Sequence, residues 1–437
     1  MQHKFACLFT IILSIILTQG KANAQEVLTL QDAIKTALER NYDIKLVSNN
    51  LEIDRNNVNV ANAGLLPALG ATLNNNNTIQ RSSQTREGVV TTRNNAHGST
   101  LNYGVALNWT VFDGFGMFAR YDQLKEFQNL GESNLQLQIV TTVANVINNY
   151  YNLVQQQYQL RALLSAIDIS RFRVRTAQSR FTIGKAARLE VLNAQVDLNT
   201  DTTNLLRQQE LYRNTQIQLN EILAQDVNAS YRVIDTITID NQLDLGQLTN
   251  QALGQNPSLQ AALVSRRIAE LDLKQVKANR YPTIGVTTGY NFNRSESALG
   301  FATLNTGRGF NYGLSASVNI FNGFLQRRNE RNAAISIDNA QLDYERVRQS
   351  VNAQLAAAYQ TYLTNLSLVK LEENNQKIAK QNLDITLDKF RLGSITQIEV
   401  RDAQLNFVNA SVRYSNAQYQ AKLAEIALKE ITGTINL

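Results

Sequence analysis

The chain reads as mainly α with membrane β: long helical hairpins combined with four amphipathic strands. Three observations predict this class. First, the sequence is duplicated: Arg180–Gln195 (RFTIGKAARLEVLNAQ) returns 209 residues later as Lys389–Gln404 (KFRLGSITQIEVRDAQ), and Leu101–Phe115 returns at the same offset as Phe310–Phe324. A repeat this long indicates one structural unit used twice. Second, several segments alternate apolar and polar residues with a period of 2, the pattern of strands with two unlike faces. Third, proline occurs only at Pro67, Pro257 and Pro282, which permits very long uninterrupted helices because proline breaks helix interiors.

The N-terminal 24 residues read as a secretory signal peptide. Lys4 supplies the positive start, Phe5–Thr18 the apolar stretch and Ala22-Asn23-Ala24 the small-residue cleavage site. The apolar stretch is shorter than the ~20 residues a transmembrane helix needs. The single cysteine, Cys7, falls inside this segment, so no disulfide or thiol chemistry is expected in the mature chain.

The net charge of +6 falls to +4 without Lys4 and Lys21, which is no nucleic-acid signature. The histidines are His3 and His97, and the methionines Met1 and Met117; this supply predicts no metal site, and no phosphate loop or catalytic constellation is present. No cofactor and no enzymatic activity are expected.

The two halves, 25–242 and 243–437, follow one order. A helix opens each, Leu30–Leu66 and Leu245–Arg280, behind capping signals at Thr29-x-x-Asp32 and Asp244-x-x-Gln247. Pro67 and Pro282 stop them. A strand pair follows, predicted at Leu69–Ile79 with Leu101–Phe112 and at Thr283–Asn293 with Phe310–Phe321. The first of these is the weakest because Asn74–Asn77 interrupt the alternation. The polar stretches Asn74–Ser99 and Asn293–Gly309 read as the connecting loops. A half-buried strand in a soluble sandwich shares the same alternation. The signal peptide, strand length and polar loops favour a membrane barrel.

The period then changes to about 3.6. Ile139, Val143, Ile147, Tyr150 and Val154 form one apolar seam, and Val347, Val351, Leu355, Ala358, Tyr362, Leu366 and Val369 the other. Such seams belong to helices packed side by side in coiled-coil fashion. The predicted helices are Gly116–Arg180 with Ala186–Gln225, and a second hairpin whose return helix is Ile395–Ile431, turning at Gly184 and Gly393. Four strands cannot close a barrel, and an open edge is not tolerated in lipid. The chain must therefore associate, and geometry alone allows a dimer with 8 strands or a trimer with 12.

These features resemble the TolC family of outer-membrane efflux and secretion channels. The resemblance covers Gln25–Leu437 and rests on the paired motifs Phe181–Gly184 and Phe390–Gly393, each followed by an acid (Glu190, Glu399) and then Ala-Gln. The junctions Phe112-Asp113-Gly114-Phe115 and Phe321-Asn322-Gly323-Phe324 also carry it. It implies a homotrimer in which twelve strands form one outer-membrane barrel and twelve helices continue it as a periplasmic α-barrel. Asp226–Leu243 and the C-terminal end would contribute to an equatorial belt.

The implied partners are a periplasmic adaptor protein, an inner-membrane transporter of the RND or ABC type, and outer-membrane lipid. The implied function is a passive conduit in a tripartite export system for drugs, small molecules or secreted proteins; the alternative is a non-conducting coiled-coil spacer. By the same resemblance, Phe181, Gly184, Lys185, Arg188, Gly393 and Ser394 are candidate adaptor-docking residues. Glu399 and Asp402, three apart on one helical face, would form stacked carboxylate rings under threefold symmetry and favour cations, with Glu190 contributing. Some members hold the gate with an arginine two residues after the second glycine. Here Ile395 stands there, with Phe390 where a tyrosine can occur, so apolar packing is expected to help close the tunnel. Arg171, Arg173, Arg175, Arg180, Lys185 and Arg188 make the first tip basic.

Overall fold

The computed structural model describes residues 27–234, 236–299 and 302–435. The segment read as a signal peptide lies outside them. In chain order the elements are β1 (Val27–Leu28), α1 (Leu30–Arg40), α2 (Tyr42–Asn57), β2 (Ala68–Arg86), β3 (Val89–Phe112), α3 (Gly116–Thr182) and α4 (Arg188–Ile222). The second half continues with β4 (Arg232–Val233), α5 (Leu245–Gln255), α6 (Pro257–Ala278), β5 (Thr283–Ser297), β6 (Leu304–Ser317), α7 (Leu325–Arg391) and α8 (Gln397–Thr432). The chain forms two compact units. One holds residues up to Leu46 with Gln136–Asn256 and Gln349–Leu437, the other Val47–Leu135 with Pro257–Arg348.

Each opening helix is broken in two, where the sequence predicted one. Asn41 ends α1, its Oδ1 accepts from the N–H groups of Asp43 and Ile44, and its Nδ2 donates to the Ile222 carbonyl at 2.9 Å. In the second half Asn256, just before Pro257, sends its Nδ2 to the Ile431 carbonyl at 2.8 Å. A residue preceding proline is pushed out of helical geometry; at Asn41 the side chain caps the following helix instead. The capping signals hold: Thr29 Oγ1 accepts from Asp32 N, and Asp244 Oδ2 from Gln247 N.

In the unit containing the sheet, the order is β2-β3-β5-β6, all antiparallel. Asn74–Asn77 do not break β2; they pair with Asn102, Leu101, Thr100 and Ser99 in a ladder that runs unbroken from Ala68 to Gln80, where a bulge shifts the register before Ser82. The predicted loop Asn74–Ser99 is thus mostly strand. It closes on the two residues Glu87 and Gly88, both at positive φ, the geometry that suits a two-residue hairpin turn.

The register sorts the side chains cleanly. One face carries Leu73–Tyr103–Phe292–Arg308, Ala71–Val105–Tyr290–Phe310, Leu69–Leu107–Thr288–Tyr312 and Trp109–Val286–Leu314 in successive rows, with Arg308 at its far end. The opposite face carries Asn74–Asn102–Asn293–Gly307, Thr72–Gly104–Asn291–Gly309, Gly70–Ala106–Gly289–Asn311 and Asn108–Thr287–Gly313. Within those rows the glycines all lie on the polar face, some because nothing larger fits: a Cβ on Gly104 would meet Tyr290 O at 2.6 Å, and one on Gly289 would meet Val105 O at 2.6 Å. Small residues on one side let a sheet curl toward that side. β2 and β6 are edges with open backbone groups.

Each strand pair feeds its long helix through the same device. Asp113 Oδ1 accepts from Met117 N at 3.0 Å, and Asn322 Oδ1 from Gln326 N at 3.3 Å. Gly114 and Phe115 are both left-handed, as are Gly323 and Phe324. A left-handed non-glycine costs about 1–2 kcal/mol. The edge-to-face pairs Phe112–Phe115 and Phe321–Phe324, at 5.2 and 5.5 Å, offset it.

In the other unit, the core gathers Val143, Ile147, Tyr150 and Val154 of α3 with Leu219 and Leu223, Tyr231 and Ile426. The linker between the halves is pinned by tyrosines. Tyr150 donates to Leu28 O and accepts from Ile234 N, and Tyr362 donates to Asp240 O at 2.5 Å. Burial, and then the neighbouring Tyr212, push the Tyr231 hydroxyl well above the usual phenol range. Among the described residues, no helix is long and apolar enough to cross a membrane.

Candidate functional site at the hairpin tips

Both helical hairpins turn on a glycine at positive φ, Gly184 at 73° and Gly393 at 77°. Lys185 N donates to Arg180 O at 2.8 Å and Ser394 N to Lys389 O at 3.1 Å, with Gly184 N on Phe181 O and Gly393 N on Phe390 O. Each pair closes a helix end in the Schellman manner. A Cβ at either glycine would meet nothing within 4 Å. The glycine is therefore required by backbone geometry and not by crowding.

The tips then diverge. Phe390 is 3% exposed and meets Phe172 edge-on at 6.3 Å, whereas its counterpart Phe181 is 39% exposed. Thr396 and Glu399 form a capping box: Glu399 Oε1 accepts from Thr396 N at 3.2 Å and from its hydroxyl at 2.9 Å. The first tip has Ala187 at the corresponding place, with no side-chain cap. Glu190 pairs instead with Arg180 at 3.7 Å. Asp402 is exposed, one turn beyond Glu399, and has no partner among the described residues. Ile395 is half-buried, while Lys185, Arg188 and Ser394 are exposed.

The expected basic face of the first tip is thinner than the sequence suggests. Arg173 is 2% exposed and turned inward onto Asp197. It belongs to a polar network that sequence reading missed. Arg401 Nη1 donates to both Asp201 oxygens, and Ser170 and Gln404 donate to the same carboxylate, at 2.5 and 3.2 Å. Gln404 also donates to the Ala166 carbonyl at 2.7 Å. Arg401 Nε lies 3.7 Å from Asp197. The network ties α8 of the second half to α3 and α4 of the first. Nε and Nη1 of Arg173 are buried without a partner among the described residues. Beside the network, a cleft of about 760 Å³ opens between the tips, lined by Arg173, Arg180, Glu190, Ile395 and Arg401 among others.

A second missed feature is apolar. Ile183 and Leu392 are 65% and 84% exposed, Leu189 and Ile398 65% and 72%. These are equivalent positions of the repeat, one residue before each glycine and one before each acid. Aligning the two tips would have found them.

The family described as "Outer membrane efflux protein" matches this chain over residues 33–225 and 248–434. The chain is similar to "Outer membrane protein TolC" of Escherichia coli K12, 24% identical over 70% of this chain and 62% of that one, so the match spans less than two thirds of that relative. It is 20% identical to "Outer membrane efflux protein BepC" of Brucella suis over 97% of this chain and 89% of the relative. Among solved structures it resembles the Campylobacter jejuni CmeC outer membrane channel, with a TM-score of 0.76, 17% identity and 93% of this chain and 85% of that chain covered. VceC of Vibrio cholerae superposes with a TM-score of 0.73 at 16% identity, covering 92% and 96%.

Proposed function

The chain belongs to the outer membrane efflux protein family, and from that premise we propose that it is the outer-membrane channel of a tripartite export system, a passive conduit without a catalytic step. The observation that carries this reading is the four-stranded sheet, apolar on one face from the helix junctions up to Arg308 and Arg294, uncharged and glycine-rich in the facing rows of the other, and unpaired at both edges. Three copies joined edge to edge give a twelve-stranded barrel with the apolar face to lipid and the small polar face to a wet lumen. The two halves, 25–242 and 243–437, then act as six similar units around one axis.

The barrel rows above contain no ionisable group on the lumen side, so charge selection falls to the helical end. There Glu399 and Asp402 are exposed on α8, and threefold symmetry would set them in rings that attract cations. The Arg401–Asp201 network holds the two hairpins of one copy together, and the Phe390–Phe172 contact adds apolar closure. The exposed Ile183, Leu189, Leu392 and Ile398, rimmed by Lys185, Arg188 and Ser394, suit the helical hairpin of a periplasmic adaptor. An inner-membrane transporter supplies the energy. A spacer that conducts nothing would need no polar strand face.

The deciding experiment is single-channel recording of the purified full-length protein in planar bilayers, with its mass in detergent measured in parallel. Discrete conductance from a trimer is expected. A monodisperse monomer with full strand content, or a trimer that conducts nothing, would overturn the reading.

A further inference from the structure

The lipid-facing side of the sheet changes character at one level. Counting from the helix junctions, its rows run Ile284–Ala316, Trp109–Val286–Leu314, Leu107–Thr288–Tyr312, Val105–Tyr290–Phe310 and Tyr103–Phe292–Arg308, and then Leu101–Arg294–Thr306. A strand rises ~3.4 Å per residue, and at a tilt near 40° each row climbs about 5 Å along the membrane normal. From Ile284 to the Phe292–Arg308 row is therefore about 21 Å, and to Arg294 about 26 Å, against an apolar band of ~25 Å. Both arginines thus sit at the far boundary of the hydrocarbon. The periplasmic helices join the opposite strand ends, so this boundary is that of the outer leaflet.

The ring contacts mark the same level. Tyr103 stacks on Phe292 at 4.7 Å, and Tyr290 meets Phe292 edge-on at 5.2 Å, an aromatic girdle of the kind that sits among headgroups. Arg294 and Arg308 stand on neighbouring strands in diagonal register, a separation of about 7–8 Å between their backbone positions. Arg294 is partly neutralised by Glu296, whose Oε1 accepts from Nε at 2.9 Å and Nη2 at 2.5 Å. Arg308 is exposed and has no ion-pair partner among the described residues. An unpaired guanidinium on a lipid-facing wall is costly unless it reaches an anion in the headgroup layer.

We propose that Arg308, with Arg294 beside it, is a docking surface for the phosphate groups of phosphorylated lipids in the outer leaflet. The planar donor fork of arginine suits phosphate oxygens, and the girdle supplies a flat platform for the acyl and sugar portions. The inference rests on the barrel lying in the outer membrane, and goes beyond it by naming the lipid chemistry and the residues.

The test uses the full-length protein in phosphatidylcholine nanodiscs doped with either bisphosphorylated lipid A or its dephosphorylated form. Bound lipid is read by native mass spectrometry. Wild type is expected to retain the bisphosphorylated form preferentially. R308Q should lower that retention about fivefold, the effect of one charge near an anionic surface. R294Q should lower it less, and the double variant should abolish the preference. Retention of the preference by R294Q/R308Q would overturn the proposal, and so would displacement of lipid A by inorganic phosphate at equal concentration. Conductance of the same preparations separates the two readings. A double variant that conducts normally but has lost the preference supports this inference. A wild type with the preference intact and no conductance supports it too, while striking only the channel reading.

Discussion

Arg401 Nη1 reaches both carboxylate oxygens of Asp201, at 3.0 and 2.8 Å, and so joins the second hairpin to the first across 200 residues of sequence. The carboxylate is buried, with Ser170 and Gln404 donating to it. Removing one partner of such a pair costs about 3–5 kcal/mol because the other stays buried and charged. Arg401→Leu should therefore lower the thermal midpoint followed by circular dichroism, and Arg401→Met with Asp201→Asn should recover much of the loss. Arg173→Met removes two unsatisfied donors and should cost less than Arg401→Leu in the same assay.

Glu399 caps α8, and in the proposed trimer it would also stand in a carboxylate ring; the two roles are separable. The capping box accepts glutamine as well as glutamate, so Glu399→Gln with Asp402→Asn should leave stability nearly unchanged while lowering cation selectivity, read as a shift of reversal potential across a salt gradient. Glu399→Ala should cost about 1 kcal/mol of stability through the lost cap. Unchanged selectivity in the charge-neutral double variant would dismiss the carboxylate ring.

At the tips, Gly184→Ala and Gly393→Ala meet no steric obstacle, so the penalty is that of the left-handed backbone alone, about 1–2 kcal/mol each. Asparagine, which tolerates that geometry, should cost less. Comparable melting temperatures for glycine and alanine at Gly393 would contradict the turn geometry described.

Leu392→Ser with Ile398→Ser should spare folding, since both side chains are largely exposed. Binding of a cognate adaptor, measured by biolayer interferometry, should weaken tenfold or more if these side chains are anchors worth over 1 kcal/mol each. The same pair of changes at Ile183 and Leu189 tests whether both tips are used.

Burial raises the Glu430 carboxyl above the usual range, opposed by a hydrogen bond from Thr141. A group whose folded pKa lies above its unfolded value stabilises the fold below the unfolded pKa, and that contribution is lost as pH rises through the folded one. Glu430→Gln should thus flatten the decline in stability as pH rises from the ordinary carboxylate range. A steeper decline would reverse the assignment.

The legible part of this protein was whatever the repeat and the two periods encode. Both tip glycines, both strand-to-helix junctions and the α3 boundaries emerged within two residues of their observed places. Asn74–Asn77 misled because asparagine is usually a turn residue. In this sheet Asn74 and Asn76 fall on the small polar face, while Asn75 and Asn77, paired with Leu101 and Ser99, fall on the other. The break at Asn41 was not legible because a lone asparagine in a helical pattern does not announce a cap; its side chain caps the next helix and is also held by a carbonyl 181 residues away. The Arg401–Asp201 pair was hidden for the same reason, since each residue alone looks like an ordinary solvated charge on a long helix.

The glycines of β6 have a practical consequence. Gly307 and Gly309 have nothing within 4 Å of an added Cβ and carry no positive φ, and both lie on the polar face of the sheet, opposite Asn293 and Asn291. A cysteine at either site would fit without strain. The only native cysteine is Cys7, so a thiol at either glycine would be the sole one beyond the N-terminal stretch read as a signal peptide. In the proposed trimer three such thiols would stand at one height around the lumen, each ready to carry an adapter or a reporter, as a sensing pore requires.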